Sequence, residues 1–184
     1  AKWAWTESLI ELSKLDEVLA AYEQSGTMAY DALRIAAHRP RQASEVDAKS
    51  LPHEFDWLST AVHMSKGCYR GQETVAKVHN LGHPPRRLTF LHLDGSGHFL
   101  PDAGDEIFIA GEDRPRGHVT IAAQHFESGP IALALLSRSV PEDAQLVVRA
   151  TGGDIDASQE IIVPASAGKA ANLPKRNLLM GGKH

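Results

Sequence analysis

The chain has 184 residues, of which 42% are hydrophobic and 23% are charged, and its formal net charge is −4 at pH 7. This length holds one ordinary domain or parts of two. No apolar run approaches the roughly 20 residues of a membrane-spanning helix, the first residues lack the pattern of a secretory signal, and the weak negative charge provides no general attraction for nucleic acid.

The cysteine content bears on the cellular compartment. Cys68 is the only cysteine of the chain, which excludes an internal disulfide and is typical of a protein in a reducing cytosol. We therefore predict a cytoplasmic location. The chain begins at Ala1 without an initiator methionine, so we expect it to be a piece of a longer protein.

The first part of the chain is predicted to be mainly helical. Interleaved aromatic and aliphatic residues over 2–12 predict one or two strands. Apolar residues at spacings of three and four over 15–22 then predict an amphipathic helix that ends at Gly26. A second helix is expected from Thr27 and must stop before Pro40.

Polar residues over 42–50 predict an exposed loop, which is followed by a helical turn after Pro52. A further helix is expected over 70–79. The three tryptophans of the chain, Trp3, Trp5 and Trp57, are interpreted as core residues.

After Leu81 the pattern becomes that of an all-β module. The predicted strands are 88–93, 106–110, 117–124, 131–137, 145–150 and 160–163. Clusters of Gly, Pro and Asp separate them, as at 94–97 and 152–154. Short strands with frequent turns predict a small antiparallel barrel or sandwich. Residues 165–184 are small, polar and basic, so we expect a flexible tail.

The chain therefore divides near residue 82. A sheet of one or two strands cannot cover two helices, so we expect the first part to be completed by sequence that precedes Ala1.

The strongest chemical signal is the segment 66–73, with the sequence KGCYRGQE, around the only cysteine. Lys66 and Arg70 favour the thiolate of Cys68 over the thiol, and so does the N-terminus of the helix that follows. Cys68 is therefore a candidate nucleophile, redox sensor or transient ligand of a metal cluster. The alternative is a small buried hydrophobic residue, because free cysteines are often buried.

Other polar groups near this segment are weaker candidates. Five cations lie between positions 63 and 87: Lys66, Arg70, Lys77, Arg86 and Arg87. Apart from His79 and His83, only His53 and His63 among the histidines lie close to the motif. His79 and His83 have the spacing of metal ligands on a helix, but Gly82 between them predicts a turn, so no metal site is expected.

The segment 66–73 resembles the signature of the YgfZ-type folate-binding proteins, a branch of the superfamily that includes the glycine-cleavage T-protein. Residues 32–35 and 51–54 resemble the family's leading helix and loop in the expected order, and the resemblance covers 2–163. It implies an α+β fold in which the end of a ferredoxin-like middle domain, the folate-binding domain, occupies 1–82. A small antiparallel β-barrel domain would follow over 83–164, and the flexible tail over 165–184.

The resemblance implies a folate-binding accessory protein that supports the assembly or repair of iron–sulfur proteins, and through them tRNA thiomethylation. Cys68 would be the acting residue. The candidate binding residues for tetrahydrofolate or a folate derivative are Tyr30, Lys66, Tyr69, Arg70, Gln72 and Glu73. The implied partners are folate and iron–sulfur client proteins, with neither direct nucleic-acid contact nor a membrane. The folate pocket is expected to be incomplete within this chain.

The alternative function is an aminomethyltransferase-like one-carbon transferase that uses tetrahydrofolate. Ala36 stands where T-proteins carry a glutamate that contacts the pterin, and T-proteins lack the motif cysteine, so both differences favour the accessory protein. A third hypothesis is a module whose barrel docks a client. The basic residues Lys77, Arg86 and Arg87 are expected to attract the anionic tail of folate. RNA is less favoured because aromatic residues that stack bases are scarce.

Overall fold

The computed structural model describes residues 4–63 and 66–164. Its α-helices are α1 (Leu15–Ala21), α2 (Thr27–Ala36), α3 (Gln42–Glu45), α4 (Trp57–Thr60) and α5 (Gln72–Leu81). Short 3-10 turns span Leu12–Lys14 and Pro52–Phe55. The strands are β1 (Arg86–Leu93), β2 (Glu106–Ile109), β3 (Pro115–His125), β4 (Gly129–Ser137), β5 (Leu146–Ala150) and β6 (Gly153–Ile161).

The six strands form a closed antiparallel barrel in the order β1-β4-β3-β2-β5-β6. Thr89 of β1 pairs with Ala134 of β4 on one side and with Ile161 of β6 on the other, which closes the sheet. Closure removes the unpaired edges through which sheets aggregate. The predicted α+β class is confirmed, and the β module is a barrel.

The interior of the barrel is filled by small and medium-sized aliphatic side chains from every strand. Strand β4 shows why its sequence is a continuous apolar run. Ala132, Ala134 and Leu136 belong to the interior cluster, whereas the alternating residues Leu133 and Leu135 belong to a second cluster on the outer surface. Because β4 is covered on both faces, it does not show the polar alternation of a strand with one exposed face.

The second cluster joins the helices to the barrel. Ala32 and Ile35 of α2 and Phe55 of the Pro52–Phe55 turn belong to this cluster with Leu133 and Leu135 of β4. Ile35 is fully buried in this layer. Side chains from both sides of residue 82 thus share one hydrophobic layer, and the division into domains at that residue stays a prediction.

The N-terminal segment differs from the prediction. The described residues 4–11 form no strand, and the segment ends in the Leu12–Lys14 turn. Helix α1 forms where its apolar spacing predicts it, yet none of its residues is buried. Leu19 is 39% exposed and Tyr22 is 74% exposed. The apolar face of α1 is therefore left uncovered by the part of the chain that the structure describes.

The predicted exposed loop over 42–50 is also partly wrong. Helix α3 occupies the start of this stretch. Glu45 is buried there, and its carboxylate accepts hydrogen bonds from the backbone N–H of Arg41 and from the guanidinium of Arg34. The last strand begins earlier than predicted, at Gly153, because polar residues alternate with the inward-facing Ile155 and Ala157. The predicted tail over 165–184 lies outside the described residues.

Candidate functional site

An open cleft of about 1790 Å³ lies between the N-terminal segment, α2, α4 and the end of β6. We call it the aromatic cleft, and the aromatic side chains that line it are Trp5, Tyr30, Phe55 and Trp57. The ring centroids of Trp5 and Tyr30 are 6.1 Å apart, and Phe55 and Trp57 stack at 4.8 Å. Trp5 is 53% exposed, so its prediction as a core residue is wrong. Trp57 is half-buried at the wall of the cleft, and Trp3 lies outside the described residues.

Helix α2 presents two different faces. Tyr30 and Arg34 are four residues apart and therefore share the face that lines the cleft, whereas Ala32 and Ile35 face the barrel. Ala36 is half-buried and packs against the same outer cluster of the barrel. The helix thus sets the cleft directly on the barrel wall.

Arg34 is a cation beside the cleft, and only 1% of its surface is exposed. Its Nε donates to Asp31 Oδ1 at 2.7 Å, and its Nη1 donates to Glu45 Oε1 at 3.3 Å and to the Arg39 carbonyl oxygen at 3.1 Å. Its Nη2 has no hydrogen-bond partner among the described residues. The Arg34 guanidinium is therefore a buried positive charge at the wall of the cleft, held by two carboxylates.

Burial also shifts the pKa of Glu45, one of the two acids that pair with Arg34. The pKa of Glu45 is raised above its usual value because burial disfavours the carboxylate, although hydrogen bonding to the Arg41 backbone and the charge of Arg34 oppose this. Arg39 and Arg41 line the same cleft. The cleft therefore combines aromatic walls with these three arginines and with the carboxylates of Glu7, Asp56 and Glu160.

The motif 66–73 forms a loop that leads into α5. Residues 66–71 are irregular, and α5 begins at Gln72 after Gly71, whose φ of +83° favours glycine. Cys68 is free and exposed, so the alternative of a buried hydrophobic residue is wrong. An exposed thiol is accessible to reagents, partner proteins and metal clusters.

The remaining motif candidates surround this thiol in the chain. Lys66, Arg70 and Glu73 are exposed, whereas Tyr69 and Gln72 are half-buried. None of the described residues that line the aromatic cleft belongs to the motif. The structure therefore places Tyr30 in the cleft and the other six candidates outside its lining.

The basic residues that follow α5 are already engaged. Arg86 donates from Nε to Glu54 Oε1 at 3.1 Å and from Nη2 to Glu54 Oε2 at 2.9 Å, and its Nη1 lies 2.6 Å from Asp47 Oδ2. Arg87 is buried and donates to the Val140 carbonyl oxygen and to Gln159. The expectation that these two arginines attract a folate tail is wrong, because their guanidinium groups hold the barrel and the Pro52–Phe55 turn.

Acidification is expected to weaken the ion pair between Arg86 and Asp47. Hydrogen bonding to the Arg86 guanidinium holds the pKa of Asp47 well below its usual value of 3.8. A carboxyl whose folded-state pKa is depressed stabilises the fold fully above its unfolded pKa and loses this contribution as the pH falls below it. Asp47→Asn should therefore flatten the fall in thermal midpoint between about pH 5 and about pH 3.

The matched control for this prediction is Asp113→Asn. It removes the same charge from a carboxylate that is fully exposed and 3.7 Å from Arg149. This variant should keep the acid sensitivity of the parent chain, and equal slopes for all three proteins would contradict the role of Asp47.

Two pairs of histidines lie close together in the fold, and the sequence did not predict either pair. At the cleft, Glu160 lies 3.7 Å from His38 Nε2 and 3.5 Å from His92 Nε2. The pKa of His38 is lowered by burial, which the charge of Glu160 partly opposes. This group was missed because it depends on the β1–β6 pairing, in which Phe90 lies opposite Glu160.

The second group lies beneath α5, where the rings of His53 and His79 are 6.2 Å apart. The pKa of His53 is lowered, first by burial and then by His79. No pattern in the sequence pairs His53 with His79. His63, the other histidine near the motif, is exposed.

No described helix is long and apolar enough to cross a membrane.

Comparisons with known proteins give names to relatives of this chain. No protein-family model matches it. It is 30% identical over 139 residues to the tRNA-modifying protein YgfZ of Aliivibrio fischeri. The aligned region covers 72% of this chain and 43% of the relative. The protein of the same name from Edwardsiella ictaluri is 37% identical over 90 residues, covering 48% of this chain and 27% of the relative.

The structure also resembles a solved protein, the glycine cleavage system aminomethyltransferase T from Bartonella henselae. The TM-score is 0.65 at 18% sequence identity, and the match covers 86% of this chain and 44% of that chain. The chain spans less than half the length of these relatives. It is thus similar in sequence to part of the proteins named tRNA-modifying protein YgfZ, and it shares its fold with part of an aminomethyltransferase T.

Proposed function

We propose that this chain belongs to a cytoplasmic, folate-binding accessory protein that supports the assembly or repair of iron–sulfur proteins, and through such clients tRNA thiomethylation. The observation that carries the proposal is the similarity to proteins named tRNA-modifying protein YgfZ, combined with a free, exposed Cys68 inside the segment that resembles the family signature. Exposure is what a thiol needs to meet a client or a cluster, since buried cysteines are inert.

The aromatic cleft is the proposed folate site. A folate joins a flat pterin ring to an anionic tail, and the cleft offers a partly buried Tyr30 beside Trp5 for the ring. The exposed Arg39 and Arg41, which line the cleft, offer positive charge for a carboxylate. Lys66, Tyr69, Arg70, Gln72 and Glu73 lie outside this lining, and we propose that they act around the thiol instead.

Ala36 supports the accessory function over one-carbon transfer. Its side chain packs on the outer wall of the barrel and carries no polar group to orient a pterin. We therefore expect no transfer of a one-carbon unit to or from tetrahydrofolate. Measured transfer that survives Cys68→Ser would favour the transferase.

The decisive test is rescue of iron–sulfur enzyme activity in a strain that lacks the full-length protein. Cys68→Ser in the full-length protein is expected to abolish rescue, because serine lacks the thiolate that bonds sulfur and soft metals. Thr74→Ser is the control, since Thr74 is exposed on α5 close to the motif. Full rescue by Cys68→Ser would overturn the proposed role of the thiol.

Binding of tetrahydrofolate to the purified full-length variants separates the two parts of the proposal. Cys68→Ser should bind the ligand as the parent protein does, whereas Tyr30→Ala should bind it about tenfold more weakly, which corresponds to about 1.4 kcal/mol. Tyr22→Ala is the matched control, because Tyr22 is 74% exposed and does not line the cleft. Unchanged binding by Tyr30→Ala would place the folate elsewhere.

A further inference from the structure

His53 and His79 leave three imidazole nitrogens without hydrogen-bond partners in one place. His53 is only 2% exposed, and neither its Nδ1 nor its Nε2 has a partner in the described chain. The buried Nδ1 of His79 has none either. Each unsatisfied buried polar group costs about 1–3 kcal/mol, and native structures usually satisfy such groups with protein atoms, ordered water or an ion.

The separation of the two rings defines what fits between them. Their centroids are 6.2 Å apart with an interplanar angle of 39°. A ring nitrogen lies little more than a bond length from its centroid, so this separation is too long for a direct N–H···N hydrogen bond. One ion or one water molecule that contacts a nitrogen of each ring could bridge this separation.

Both histidines are carried by elements that other contacts fix. His53 belongs to the Pro52–Phe55 turn, which is held by the ion pair of Glu54 with Arg86 and by the burial of Phe55. His79 lies four residues after the buried Val75, on the same face of α5. Helix α5 contacts the turn, and His79 keeps partial exposure, which gives a small solute a route from solvent.

We propose that His53 and His79 together form a binding site for a divalent transition-metal ion, with Zn²⁺ as the probe. Neutral imidazole is a common ligand of zinc, at Zn–N distances of about 2.0–2.1 Å. No cluster of three or more His, Cys, Asp or Glu suited to a metal exists among the described residues. The ion therefore takes its other ligands from water, and we expect moderate affinity and easy exchange.

Binding at this site would tie α5 to the Pro52–Phe55 turn. The motif loop with Cys68 runs directly into α5, so a metal between the two histidines would stabilise the base of that loop. This inference concerns the histidine pair alone and does not depend on the proposed folate function.

The test is calorimetric titration of the chain with Zn²⁺ in a Cys68→Ser background, which removes the thiol as a competing ligand. We expect one saturable site, which His53→Ala and His79→Asn each weaken at least tenfold. The control is His98→Ala, which removes an exposed histidine from the loop between β1 and β2 and should leave the affinity unchanged.

A second measurement guards against a variant that fails to fold. Saturating Zn²⁺ should raise the thermal midpoint of the background protein and of His98→Ala, and should do so less for the folded His79→Asn variant. Absence of the site, or equal affinity in His79→Asn and His98→Ala, would overturn the proposal and assign the space between the rings to ordered water.

Discussion

Replacing Glu54 with alanine is expected to lower the free energy of unfolding by about 3–5 kcal/mol, the usual result of removing one partner of a buried ion pair. The Glu54 side chain is fully buried and accepts two hydrogen bonds from Arg86 at 3.1 and 2.9 Å, and a third from the Leu51 backbone N–H at 3.3 Å. Without it, the mostly buried Arg86 keeps the exposed Asp47 as its one acidic partner among the described residues. Urea unfolding of the chain measures the difference.

A matched control separates burial from pairing. Glu112 and Arg116 form the same kind of ion pair at 2.6 Å, but both side chains remain partly exposed. Glu112→Ala is expected to cost at most about 1 kcal/mol. Equal losses in the two variants would show that the burial of Glu54 contributes nothing to the stability of this link.

Replacing Gly117 with alanine should have the second large effect, at the upper end of the range of about 1–3 kcal/mol for overpacking. Gly117 lies in β3 opposite Leu136 of β4. A Cβ atom there would press on the Leu135 carbonyl oxygen and lie 2.9 Å from the Leu136 Cα. Both are backbone atoms of a strand buried on two faces, so the paired strands must separate to make room.

Gly67→Ala is the control for this experiment. Apart from its chain neighbours, no heavy atom of the described residues lies within 4 Å of a Cβ built at Gly67, and its φ is outside the left-handed region. Its free energy of unfolding should change by no more than about 0.5 kcal/mol. Similar melting of the two variants would contradict the close approach of β3 and β4.

The strands were predictable from the sequence because turn residues separate short apolar segments, and each segment in 88–150 became a strand of the barrel. The start of β6 was not, because Asp154, Asp156 and Ser158 place polar groups on its outer face and resemble a loop. Periodicity also predicted α1 correctly. It could not show that the described residues leave the apolar face of α1 uncovered, since burial depends on what packs against a helix.

The candidate site was predictable only where its residues are contiguous. The loop 66–73 lies along the chain, and the exposure of its cysteine rules out the buried alternative. Trp5 and Trp57 were assigned to the core because a large aromatic residue suits a core and a ligand cleft equally well. His53 and His79 meet through the packing of α5 on the Pro52–Phe55 turn, which precedes it in the chain, and no local pattern records this.

The two-faced packing of α2 has a consequence for the order of folding. Ile35 is buried in a cluster with β4 residues that follow it by almost a hundred positions. The ion pair of Glu54 likewise requires Arg86, which comes later in the chain. During synthesis the helices emerge before these partners. A short helix without its hydrophobic support is marginal in water, so α2 gains its stability only when the barrel has closed. Slow barrel closure would therefore delay the formation of the aromatic cleft.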